Sequence, residues 1–86
     1  MSRVTERVIK HTLRGTVQQV DLANRLLILR TQEAQLRIDV ALTCRILINS
    51  ERARLHMLQP ADRVTVAVEE SSGGQLARQI ELNSLA

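Results

Sequence analysis

Phe, Tyr and Trp are wholly absent from this chain of 86 residues, so its core has to be assembled from Leu, Ile, Val and Ala. Each buried Leu, Ile or Val contributes ~1.5–3 kcal/mol, which makes a lean core and makes burial against a second chain a natural supplement. The same absence removes the platforms on which single-stranded bases usually stack, worth ~1–3 kcal/mol per base. A lone cysteine, Cys44, excludes an internal disulfide and suits a reducing compartment. No apolar run approaches the ~18 residues of a membrane span. Near the start, Val4 is separated from Val8 and Ile9 by Thr5, Glu6 and Arg7, unlike the apolar centre of a secretory leader. A cytoplasmic protein without membrane contact is the expectation.

Lysine is nearly missing too. Lys10 stands alone beside eleven arginines, and nine acidic residues leave a net charge of +3. Charges of both signs alternate, with no block of five like charges, as on an ordinary solvated surface. The preference for arginine nevertheless suits phosphate, because the planar guanidinium binds it bidentately and stacks on bases.

What is present is alternation. Val64, Val66 and Val68 share one face of a strand that follows Pro60 and Asp62, whose types fit a tight turn with Asp62 bonding the backbone just beyond it. Leu36, Ile38 and Val40 alternate with Gln35, Arg37 and Asp39, and Ile80 and Leu82 close the last strand. Earlier, Leu13, Gly15 and Val17 share a face, and Gly15 marks a bulge or sharp bend. Asp21 to Asn24 reads as a turn, with Asn24 suited to positive φ. Leu26 to Leu29 is continuous rather than alternating, which predicts a strand covered on both faces, by the N-terminal arm or another subunit. Arg45 to Asn49 reads as a separate strand with Leu47 opposite Ile46 and Ile48. Residues 52–58 read as a helical turn with Leu55 and Leu58 capping one end, and Glu70 to Gly74 as a hairpin tip. The fold expected is all-β: a small, mainly antiparallel β-barrel of about six strands with one short helical turn before the fifth. Residues 1–12 form an extended or short helical arm, read as extended from about Val8 because Val8, Ile9 and Thr12 are β-branched, with 13–83 the barrel and 84–86 a tail.

The order Gly15-Thr16-Val17, Val20-Asp21, the paired strands, and then Leu55, Leu58, Pro60, Asp62, Val64 and Val66 resembles the small bacterial OB-fold-like domains of unknown function. Their pattern runs G-x-V, V-D, then L-x-x-L-x-P-G-D-x-V-x-V. Ala61 stands where that pattern has glycine. Asn49-Ser50-Glu51 replaces an Asn-Gly or Asp-Gly turn, which implies a longer or differently shaped connection. The resemblance covers about residues 13–83 and concerns fold rather than activity.

Some proteins of that general shape are periplasmic copper binders that hold the metal with His, Met and a nearby Trp. Here the soft donors are His11, His56, Met1, Met57 and Cys44, with no Cys-x-x-Cys, His-x-His or Met-x-Met spacing. These donors argue against a metal, and no cofactor is expected. No nucleophile has a base near it in sequence, and Gly73-Gly74 is not followed by a phosphate-binding helix. The expectation is a protein that is not an enzyme and has no catalytic residues. It would act as an assembly or protein-interaction module, a homo-oligomer or partner of another protein, self-associating through Leu26, Ile28 and Leu47. The alternative is weak, sequence-tolerant binding of single-stranded nucleic acid through Arg14, Arg37, Arg45, Arg63 and Arg78, all expected to face outward. Acidic neighbours such as Asp39 and Glu69 are expected to break up that patch.

Overall fold

Alternation along the strands is what closes this chain on itself. The computed structural model describes residues 8–83. In order, its strands are β1 (Ile9–Asp21), β2 (Leu26–Arg30), β3 (Gln35–Ile48), β4 (Glu51–Arg52), β5 (Arg63–Ser71) and β6 (Gly74–Leu82). β1 pairs with β2 and β5, β2 with β3, and β5 with β6, all antiparallel; a parallel β3–β6 pairing completes the ring. The result is a closed five-stranded barrel, with β4 a two-residue addition on β3. A single 3-10 turn, Leu55–Met57, precedes β5.

Inside, Val17, Leu27, Leu29, Ile38, Val66, Val68 and Ile80 are almost fully buried, and Leu55 and Leu58 are buried against the same cluster. In β2 the alternation is regular: Leu27 and Leu29 point inward, while Leu26 and Ile28 are half-buried on the other face. The long apolar run therefore has one core face rather than two.

Several local expectations are corrected. The two strands expected at Leu36–Val40 and Arg45–Asn49 are one, β3, whose register with β6 breaks between Val40 and Arg45. Across that break the Arg25 guanidinium donates to the carbonyls of Val40 (3.2 Å) and Ala41 (2.8 Å), so it satisfies acceptors the irregular strand leaves open. The positive φ of the first turn falls on Arg25 (49°) rather than Asn24, while the Asp21 carboxylate accepts from the Asn24 backbone and side chain. The β3–β4 connection is not long. Ile48 pairs with Glu51, leaving only Asn49 and Ser50 between them, both at positive φ (52° and 71°), the backbone of a tight two-residue hairpin. Asp62 bonds backward rather than forward, accepting from the Gln59 N–H at 2.9 Å. The arm expected over residues 1–12 already belongs to the sheet from Ile9, which pairs with Glu70; the earlier part of the arm and the tail at 84–86 lie outside the described residues.

Gly15 serves close approach. A Cβ there would lie 2.6 Å from the Arg30 carbonyl oxygen and 2.9 Å from Leu29 Cγ. The bulge itself falls between Val17 and Gln19.

Candidate anion-binding groove

β1 changes partners at Thr16. That residue faces Arg63 of β5 on one side and Arg30 of β2 on the other, which sets Arg30, Thr16 and Arg63 in a row across three strands. Cross-strand partners point to the same face of a sheet. Arg14, two residues back along β1, lies on that face as well, opposite Thr65, which in turn pairs with Glu81 of β6. Together these side chains line an open groove of about 620 Å³, with Thr31, Gln32 and Asn83 at its margins.

The three arginines are exposed. The ion pairs present are His11 with Glu70 (3.3 Å, out of hydrogen-bond geometry) and Arg78 with Glu69 (3.1 Å), so Arg14, Arg30 and Arg63 are unpaired among the described residues. Among the described residues Glu81 is the one carboxylate lining the groove. Three fixed positive charges against one negative suit an anion, and the Thr16 hydroxyl adds a neutral donor, whereas the Thr31 hydroxyl already donates to the Ala34 carbonyl at 3.0 Å.

Of the five arginines singled out in the sequence, this groove takes Arg14 and Arg63. Arg37 stands opposite Ile28 and contributes to the lowering of the Asp21 carboxyl, whose main cause is hydrogen bonding from Asn24. Arg45 faces Gln79. Arg78 is engaged by Glu69 and donates to Thr43 Oγ1 at 3.3 Å. Arg30 was missed. The signal was parity: with Leu27 and Leu29 inside, Arg30 must point outward beside Thr16.

The apolar residues proposed for self-association, Leu26, Ile28 and Leu47, are each half-buried. Large exposed apolar side chains lie elsewhere, at Leu22 and, most fully, at Leu42, which is 86% exposed in the irregular stretch of β3.

A second cluster lies around the 3-10 turn. Cys44 and His56 line one cleft of about 420 Å³ with Arg25, Arg54 and Leu22, while His56 and Met57 line the adjoining groove. Burial pushes the Cys44 thiol up to about 11, against the opposing pull of Arg25 and Arg78. Met57 Sδ accepts from the Arg54 N–H at 3.4 Å. Among the described residues no group of three or more His, Cys, Asp or Glu is arranged to hold a metal ion.

No protein-family model matches the chain, and no characterised protein matches it in sequence. Two solved structures share its fold. Apo-CusF from Escherichia coli, residues 6–88, is similar with a TM-score of 0.66 and 17% identity, over 95% of this chain and 94% of that one. Ag(I)CusF is similar with a TM-score of 0.62 and 14% identity, over 88% of this chain and 97% of that one. The likeness supports the small OB-fold-like barrel. It also overturns the expectation against a metal, because a protein of this fold has been solved with Ag(I) bound. That expectation rested on spacing along the chain, whereas the fold brings Cys44 and His56 to one cleft from separate elements.

Proposed function

We propose that the chain is a non-catalytic binding barrel whose ligand is the phosphate backbone of single-stranded nucleic acid. One observation carries the reading: Arg14, Arg30 and Arg63, from three adjacent strands, converge on one groove with no carboxylate paired to them among the described residues. Without aromatic residues the stacking contribution is missing, so binding is weak, salt-sensitive and tolerant of sequence. We rank this role above assembly because Leu26, Ile28 and Leu47, the apolar side chains that suggested assembly, are each half-buried.

Fluorescence anisotropy with a labelled single-stranded oligonucleotide tests it across a salt series. Each phosphate contact adds ~0.7 to the slope of log K against log salt. Arg30→Ala should weaken binding and flatten the slope by about that amount, whereas Arg78→Ala, which removes a guanidinium already engaged by Glu69, should change little. Equal effects of the two substitutions would refute the groove.

A soft monovalent metal ion is a second reading, favoured by the shared cleft of Cys44 and His56 with Met57 beside it. Thiolate, imidazole and thioether are donors suited to such an ion, and a protein of the same fold is known with Ag(I). Binding through Cys44 displaces the thiol proton, so titration with Ag(I) near neutral pH should release one proton per ion, and Cys44→Ser should abolish the release. Proton release unchanged in Cys44→Ser would remove this reading.

A further inference from the structure

The groove is not uniformly positive, and the asymmetry follows strand order. Two rows of side chains cross its floor. In one, Arg30 of β2, Thr16 of β1 and Arg63 of β5 follow one another, and Asn83, the residue after β6, lines the groove with them. In the other, Arg14 of β1 is followed by Thr65 of β5 and Glu81 of β6. All three guanidinium groups thus lie on the β2–β1–β5 side, and the β6 side carries a carboxylate and an amide. Arg14 and Glu81 flank Thr65 two strand spacings apart, roughly 10 Å, and they form no ion pair.

For a plain polyanion Glu81 is a defect, since it repels any phosphate that spreads over the whole groove. It is an asset only for a ligand that carries N–H donors as well as phosphate. A nucleotide has that composition. With its phosphate against Arg30 and Arg63, the base reaches toward β6, where a carboxylate accepts readily from the exocyclic amine of cytosine. Asn83 there supplies both a donor and an acceptor.

Resting on the nucleic-acid reading above, we propose that Glu81 is a specificity-determining residue that gives the groove a preference for amine-bearing bases, cytosine first, over thymine and over bare polyphosphate. The preference is modest because one hydrogen bond on an open surface supports it. It refines a sequence-tolerant grip rather than replacing it.

Anisotropy with labelled oligodeoxycytidylate and oligothymidylate of equal length, and competition by inorganic polyphosphate, read the proposal directly. The full chain should bind the cytosine oligomer about fivefold more tightly than the thymine oligomer, about what one net hydrogen bond supplies. Glu81→Gln should bring the two oligomers within about twofold of each other and make polyphosphate a stronger competitor, because a repelling charge is gone. A circular-dichroism melt of the variant verifies that it folds; should it not, Glu81→Asp, which keeps the charge, should retain the polyphosphate exclusion with a reduced cytosine preference. Equal binding of both oligomers by the unaltered chain, with the salt slope intact, would overturn the role of Glu81 and leave the phosphate-binding groove standing. Absence of binding to either oligomer would overturn both.

Discussion

Ala61 and Ser50 occupy backbone that a side chain dislikes. Ala61 has φ 81° as the third residue of the turn Gln59-Pro60-Ala61-Asp62, closed by the Asp62 N–H donating to the Gln59 carbonyl at 3.1 Å. Proline before a residue at positive φ is the signature of a type II turn, where glycine is preferred. The strain is held by stitching to β1: the Ala61 N–H donates to the Val17 carbonyl and the Val17 N–H to the Asp62 carbonyl, both at 2.8 Å. A left-handed conformation costs a non-glycine residue ~1–2 kcal/mol, and glycine gives back about 0.5–1 kcal/mol through its greater freedom when unfolded. Ala61→Gly should therefore stabilise the chain by about 0.5–1 kcal/mol, which in a domain of this size raises the melting temperature by a few degrees. A lowered melting temperature in a circular-dichroism scan would show that the alanine methyl makes a contact worth more than the strain.

At the scale of the strands, the decisive element is β1. Its first part pairs with β5 and its last part with β2, and Gly15 stands immediately before Thr16, where the two pairings overlap. Because the obstacle to a side chain there is the backbone oxygen of Arg30 at 2.6 Å, the strands themselves must separate to admit one. Gly15→Ala should cost about 1–3 kcal/mol and should also weaken oligonucleotide binding, since Arg30 moves with the strand. Both changes are read on one preparation, by melting and anisotropy; a variant with undiminished stability would mean β2 yields freely at this point. Gly15 was legible in the sequence as a place where the strand does something special. Whether that was a bulge or a close approach depended on which strand crosses it, and no local pattern encodes the crossing. Asn49-Ser50 misled for a related reason. The turn keeps the tight geometry, and serine accepts φ 71° because Ile48 and Glu51 hold the hairpin in register around it.

For the whole molecule, the barrel was readable because alternation at Leu36–Val40 and Val64–Val68 survives without any knowledge of partners. The groove was only half readable. Arg14 and Arg63 could be assigned outward by parity, but their meeting with Arg30 depends on the strand order β2-β1-β5. The Cys44–His56 cleft depends likewise on the 3-10 turn packing beside β3, and spacing along the chain argued against it.

That division of β1 between two neighbours also bears on how the chain is born. Synthesis from the N-terminus makes β1, β2 and β3 first, and they can form a meander in which Thr16–Asp21 is paired with β2 while Ile9–Gly15 has no partner until β5 is made. For that interval the nascent protein holds out a bare strand edge, the feature most prone to capture by other chains. The segment that waits is Ile9-Lys10-His11-Thr12-Leu13-Arg14-Gly15. Lys10 and Arg14 put a positive charge every fourth residue along it and glycine ends it, so two such edges laid antiparallel about Thr12 set Lys10 of one against Arg14 of the other. Like charges set face to face disfavour that pairing of two copies, and one of the two residues, Arg14, faces the groove once the barrel is closed.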